Sequence, residues 1–453
     1  MTTLHFERAL TPQGWAANVR VRIDGASIRA VEPDAPRETG DERCGIGVPA
    51  IGNLHSHAFQ RAMAGLTEKR GDAADSFWTW RETMYRFALA ATPDDVEAIA
   101  AQAYVEMLEA GYGAVAEFHY LHHDVSGAPY ANRAEMAERI AAAAAETGIG
   151  LTLLPVFYAH AGFGAVPAQA EQRRFVTDLA SYAALVADCR RALASVARVG
   201  VAPHSLRAAT PEELAGVTAI AGDGPIHIHI AEQTGEVDAC VAWSGARPVR
   251  WLLDHAEVDS RWCLVHATHV DEGEVLALAR SGAVAGLCPI TEANLGDGVF
   301  PARAFLDADG RFGVGSDSNV EITAAGELRM LEYAQRFTTR ARNVCARRGG
   351  STGAALFTAA AAGGAQALGR TAGALAPGAM ADIVSLKGDS PLIAGRADDE
   401  ILDTWIFGGA RDLVDRVWSG GRKVVCDGRH AARETIAARF GETLRRLAAA
   451  TGA

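Results

Sequence analysis

The chain has 453 residues, 49% of them hydrophobic and 22% charged, with a formal net charge of −12. That is too long for one minimal domain and ordinary for a globular protein. An acidic chain without a block of Lys or Arg repels phosphate backbones, which argues against nucleic acid as a partner.

Residues 1–10 carry charges and no apolar stretch, so no signal peptide is expected there. No apolar run approaches the ~20 residues that span a bilayer, so no membrane partner is expected. Seven cysteines without a CxxC pair suit a reducing cytoplasm, with buried thiols as the default.

Residues 1–47 read as short strands. Run 18–23 alternates, Asp24-Gly25 turns, and 27–31 resumes. Their partners come far downstream, as β-type runs at 381–386, 415–418 and 423–426. Turns at Pro377-Gly378 and Gly420-Gly421 separate them. The expectation is a small β-sandwich domain built from 1–47 and 373–430, followed by a C-terminal helix within 431–453.

Between the two ends, 48–372, strand and helix alternate. Eight apolar β-type runs fall at 48–53, 114–118, 151–157, 198–202, 225–230, 262–265, 283–287 and 312–315. Thr92-Pro93-Asp94-Asp95 and Thr210-Pro211-Glu212-Glu213 each supply an N-cap, an N1 proline and an acidic first turn. A third helix is expected over 134–146, and the Ala-rich stretch 354–367 reads as a packed helix. Eight strand–helix units over this length predict an α/β fold, a (β/α)8 TIM-type barrel with insertions. A doubly wound open sheet would want a Gly-rich phosphate turn after its first strand, and there is none.

Barrel enzymes place their chemistry at the C-terminal ends of strands. Of the fourteen histidines, a series terminates these runs: His55 and His57, His119, His160, His204, His227 and His229, and His266. His55 and His57, two apart on a strand, share a face. With His229 and Asp317 they offer three neutral nitrogens and one carboxylate, a set that suits Zn2+ or Fe2+ better than Mg2+ or Ca2+. His227 shares the face of His229 one layer deeper and reads as a hydrogen-bonded core histidine. Glu232, three residues past His229, can carry protons or simply start a helix. His266 is a second proton handler, a fifth ligand or a core histidine. Asp317 can act as base while touching the metal.

The motifs Leu54-His55-Ser56-His57, His229-x-x-Glu232, the lone His266 and Gly315-Ser316-Asp317 resemble the amidohydrolase superfamily, in its mononuclear deaminase branch. No lysine ends the fourth strand, where binuclear members carry a bridging carbamate. Residues 373–382 (GALAPGAMAD) resemble the segment by which this superfamily returns to its small β domain. Closer still, 53–66 (NLHSHAFQRAMAGL), Ser76-Phe77-Trp78-Thr79-Trp80-Arg81, 117–123 (EFHYLHH), 203–207 (PHSLR) and 288–298 (CPITEANLGDG) resemble the N-formimino-L-glutamate deiminase family.

That resemblance implies hydrolysis of formiminoglutamate to formylglutamate and ammonia in histidine degradation. It implies one divalent metal per chain, usually zinc, and a cytoplasmic homodimer. The nucleophile would be metal-bound hydroxide attacking the formimino carbon, with Glu232, His266 and Asp317 handling protons. A substrate with two carboxylates calls for forked arginine donors. Arg81 and Arg207 are the expected ones, with Arg61 competing as either a donor or a surface ion pair. Gln60, Tyr120, His204 and Ser318 can add hydrogen bonds. Trp78 and Trp80 read as loop packing, and Thr291, Glu292 and Asn294 as a structural turn. A guanine- or adenosine-type deaminase is the rival on the same scaffold, predicting an aromatic purine slot. A metal-free binding module is the non-enzymatic rival, against which the full set of ligands counts.

Overall fold

The computed structural model describes residues 2–70, 77–195, 197–409 and 412–452. The apolar runs become parallel strands, and where they are buried on both faces they need no alternation: every residue of Tyr112–His119 is buried. One half of the barrel is Ile51–Ser56, Tyr112–His119, Gly150–Phe157 and the pair Ala197–Val199 and Ala202–Pro203. The other is Ile226–Ile230, Trp262–His266, Val284–Leu287 and Arg311–Val314. Bridges Ser56–Asp317, Val201–Ile226 and Ser205–His229 close the halves into a (β/α)8 barrel. These seams matter for function, because two of them lie beside His55, His57, Asp317 and His229.

Two of the expected runs are divided. Run 48–53 breaks at Ala50, whose N–H donates to Asp382 O at 2.9 Å. Glu42–Pro49 belongs to the small sheet and Ile51–Ser56 opens the barrel. Run 198–202 breaks at Gly200, where a Cβ would come 2.5 Å from Pro225 O. Hydrophobicity records burial and does not mark where a buried strand changes partner.

The chain ends form one eight-stranded sheet, joined where Ile383–Leu386 pairs antiparallel with Glu42–Pro49. The sheet curls on itself. Ile28 N–H donates to Ala379 O at 2.8 Å, and Phe6 meets Trp418 edge-on at 6.5 Å between ring centroids. The two layers of the expected sandwich are therefore one folded sheet around its own small core.

Helix Pro93–Glu109 starts on a reciprocal Thr92–Asp95 cap, and Pro211–Ala221 on the same arrangement of Thr210 and Glu213. Glu135–Thr147 stops at Gly148, with φ 78°. Among the described residues no helix is long and apolar enough to cross a membrane.

Thr352–Ala367 lies against the barrel floor, where glycines allow backbone to touch backbone. A Cβ at Gly363 would overlap Phe312 O, and one at Gly364 would lie 2.7 Å from Gly52 O. Gly363→Ala is therefore expected to destabilise the protein by about 2–3 kcal/mol, read as a lower urea midpoint at unchanged slope.

Candidate active site

His55 and His57 project from the end of Ile51–Ser56, His229 comes from Ile226–Ile230, and Asp317 follows Arg311–Val314. Their ligand atoms converge. His55 Nε2 lies 3.2 Å from His57 Nε2 and 3.0 Å from His229 Nε2. Asp317 Oδ1 is 3.4 Å from His55 Nε2 and 3.3 Å from His57 Nε2.

The hydrogen bonds behind the rings decide what faces the centre. His57 Nδ1 donates to Phe118 O at 2.9 Å and His229 Nδ1 to His204 O at 3.1 Å, so both present a bare Nε2 lone pair inward. Burial holds His55 down to about 3 and also lowers His57 and His229, so all three rings are neutral. Lone pairs and a carboxylate this close repel one another unless a cation lies between them. Four tetrahedral ligands on bonds of zinc length sit about 3.4 Å apart, close to the spacings here. The donor set thus fits a divalent metal. His266 also reaches this group: His55, His229, His266 and Asp317 offer ligand atoms all within 4.8 Å of one another. His266 Nε2 is the more distant, 3.9 Å from Asp317 Oδ2.

Local sequence explains the convergence. A Cβ at Gly315 would lie 2.7 Å from His55 O, so glycine lets the last strand approach the first. Asn319 Nδ2 then donates to His57 O and Asp317 O, both at 3.1 Å. Asn53 Nδ2 donates to Ser316 Oγ at 2.7 Å. His266 and Asp317 hold left-handed backbone, with φ 67° and 44°, strain that the surrounding hydrogen bonds impose.

Beside this group lies a buried proton-bearing cluster. His266 Nε2 is 3.8 Å from Glu232 Oε1, and its Nδ1 is 3.3 Å from Glu292 Oε1. Burial pushes Glu232 above the usual carboxylate range, against the pull of His266. Burial would lower His266, but Glu232 and the hydrogen bond with Glu292 raise it. Burial would also raise Asp317, yet its hydrogen bond with His55 and the facing His266 hold it below the usual range.

A pocket opens directly onto these groups, and Gln60, Arg81, Tyr120, His204 and Arg207 all line it. Gln60 Nε2 donates to Tyr120 Oη at 2.7 Å. The buried Nε of Arg207 has no partner among the described residues. Ser318 is not part of the wall; its hydroxyl is 3.0 Å from that of Thr291.

Other expectations sort cleanly. Arg61 turns away, pairing with Glu106 at 2.9 Å and donating to Asn319 O at the same distance. His227 is a core histidine, its Nε2 2.8 Å from Ala367 O. His160 pairs with Glu213 at 2.9 Å. His119 stacks edge-on with His122, away from the pocket. Trp80 lies on the helix Phe77–Ala90, packed against the core, and also lines the pocket. Ser76 and the side chain of Trp78 lie outside the described residues. Glu292, read as a turn residue, is the partner of His266.

Met84, Tyr85 and Phe175 line the pocket and were not anticipated. For the first two a signal existed. Arg81, Met84 and Tyr85 fall at helical spacing on Phe77–Ala90, so an arginine facing the pocket brings them with it.

With the geometry in place, the comparisons with known proteins are direct. The amidohydrolase family model matches residues 46–424, and the model for the N-terminal domain of formimidoylglutamate deiminase HutF matches 1–45. Formimidoylglutamate deiminase of Pseudomonas aeruginosa is 52% identical over 451 residues, 99% of this chain and 100% of that one. The chain belongs to the amidohydrolase family, among its formimidoylglutamate deiminases. As an amidohydrolase of this kind it is a hydrolase acting on carbon–nitrogen bonds, with a buried His/Asp group able to hold a metal. A crystal structure of an amidohydrolase from Brucella melitensis superposes with a TM-score of 0.96 at 54% identity, covering 99% of this chain and 100% of that one. More distant amidohydrolases act elsewhere. A 5-methylthioadenosine/S-adenosylhomocysteine deaminase of Natronomonas pharaonis is 28% identical over 406 residues, 86% of this chain and 85% of that one.

Proposed function

We propose that the protein hydrolyses N-formimino-L-glutamate to N-formyl-L-glutamate and ammonia, with one divalent metal held by His55, His57, His229 and Asp317. One observation carries this reading. A pocket lined by both Arg81 and Arg207 opens onto a metal-type donor set, in a chain 52% identical over its length to a formimidoylglutamate deiminase.

Zinc, with ferrous iron as the alternative, would supply Lewis acidity there and lower the pKa of water towards neutrality. The chain's own residues do the rest. Arg81 and Arg207 take the substrate carboxylates and hold the formimino carbon over the donor set. Gln60, Tyr120 and His204 add hydrogen bonds from the same wall. Asp317 and His266 orient the attacking water, and Glu292 keeps His266 turned towards it. Glu232, ionised at the start, takes a proton from that water and passes it to the departing nitrogen. We read 51–372 as the catalytic barrel, with 1–49, 373–430 and the helix in 431–453 supporting it, in a cytoplasmic homodimer of a histidine-degrading route.

The test is ammonia release by the purified protein from formiminoglutamate, guanine and adenosine, before and after chelation. Turnover of the diacid alone is expected, lost with chelator and restored by zinc or ferrous iron. A metal-loaded protein that releases no ammonia from formiminoglutamate would remove this reading.

A further inference from the structure

Gln172 is 1% exposed and lies between two rings of the pocket wall. Its amide orientation is fixed by the backbone, because Oε1 accepts the N–H of Gln169 at 2.8 Å. The amide nitrogen must therefore face the other way. There Nε2 lies 3.1 Å from Tyr85 Oη and 2.8 Å from Tyr158 Oη, one proton for each. A phenol oxygen that receives an N–H bond sends its own proton elsewhere. Among the described residues nothing accepts the proton of either tyrosine. Both rings line the pocket, so that is the direction left to them.

The surroundings favour an anion. Arg81, one turn before Tyr85 on the same helix, holds its guanidinium 5.5 Å from the Tyr85 ring centroid. Arg207 is close enough to both phenols to interact with them electrostatically. Burial pushes the Tyr158 hydroxyl up to about 12, so it stays a donor across the neutral range.

We propose that Tyr85 and Tyr158 are carboxylate-binding residues whose hydroxyl protons are aimed into the pocket by Gln172, a positioning residue that does not itself touch the substrate. The proposal deepens the functional reading above and rests on it for the identity of the diacid. It makes the pocket selective for one carboxylate at a fixed place, since two aligned O–H donors and a guanidinium match a carboxylate and leave a neutral group underbonded.

Tyr85→Phe and Tyr158→Phe are each expected to raise KM for formiminoglutamate about tenfold to a hundredfold while kcat falls far less, the cost of one hydrogen bond to a charged group. Gln172→Glu keeps the acceptor for Gln169 but cannot donate, so both phenols turn their protons onto it. It is expected to raise KM as much as the two Phe substitutions together, and to add less than about twofold in that double background. Two truncated probes locate the group recognised. N-formimino-4-aminobutyrate lacks the α-carboxylate, and N-formimino-2-aminobutyrate lacks the other. The tyrosine penalty should survive with one probe and vanish with the other. Equal penalties on both probes, or a full Gln172→Glu penalty in the double background, would overturn the proposal. Glutarate binding by calorimetry reads the subsite without turnover. Absent deamination by the unaltered protein then counts against the substrate assignment alone, whereas unchanged glutarate affinity in Tyr85→Phe/Tyr158→Phe counts against the tyrosines.

Discussion

His229→Ala is expected to give a folded barrel that holds little metal and turns over about 10^4-fold more slowly. The size follows from losing several kcal/mol of Lewis-acid stabilisation at 1.36 kcal/mol per decade of rate. His229 contributes from the strand opposite His55 and His57, and its Nε2 stands 3.0 Å from that of His55. Without it the remaining donors all come from the one seam where the first and last strands meet. Its ring is fixed by the His204 carbonyl, and the imidazole stacked against it, His266, is already engaged by Glu292. The fold should survive, because the strand's own hydrogen bonds to Trp262–His266 do not involve the ring. Metal content by atomic absorption should fall well below one per chain. Zinc should no longer raise the melting temperature, since a ligand stabilises only a fold that binds it. A variant with full metal content and near-normal turnover would mean that the donor set is not the one drawn here.

The converging candidate metal donors were legible because the chemistry writes itself into short motifs at strand ends. His55-x-His57 and His229-x-x-Glu232 need only the period of a strand to place them, and Asp317 needs only the glycine before it. Barrel class was legible for a similar reason, in eight apolar runs separated by capped helices. What could not be read depends on contacts between distant segments. Whether Val48 and Pro49 belong to the barrel or the small sheet is decided by Asp382, more than 300 residues away, and no local pattern carries it. The same holds for residues behind the pocket wall. Glu292 looks like any acid in the first turn of a short helix until the fold sets it against His266. Gln172 occupies a single-turn helix with no periodicity, yet it orders two phenols from separate elements. Arg61 was left open between substrate donor and ion pair, and only the fold settles it: it neighbours Gln60 in sequence but pairs with Glu106. Ligands that share a strand are predictable, and donors that meet by packing are found only in the folded chain.

Glu232→Gln is expected to keep the metal and to lower kcat about 10^2- to 10^4-fold, the usual worth of a positioned proton carrier. The amide matches the carboxylate in shape and cannot exchange protons, which separates this variant from loss of a ligand. Glu232 is placed by Ala231, whose left-handed φ of 51° turns the chain out of its strand and back towards His266. Burial raises its pKa above the ordinary carboxylate range, and only the ionised form can take a proton. Its ionised fraction grows as pH rises through that raised value. The unaltered enzyme should therefore lose kcat as pH falls, along a limb higher than a surface carboxylate would give, and Glu232→Gln should be flat there. Stability should move the other way. A carboxyl whose folded pKa exceeds its unfolded one binds its proton more tightly when folded, so its contribution falls as pH rises from the ordinary value through the raised one. In the metal-free protein above neutral pH, Glu232→Gln should melt no lower than the unaltered chain. Slower turnover with undiminished stability is what a group retained for chemistry at a cost to the fold predicts. A variant within tenfold of normal kcat, or one that keeps the acid limb, would assign the proton transfer to another residue, with His266 the first candidate.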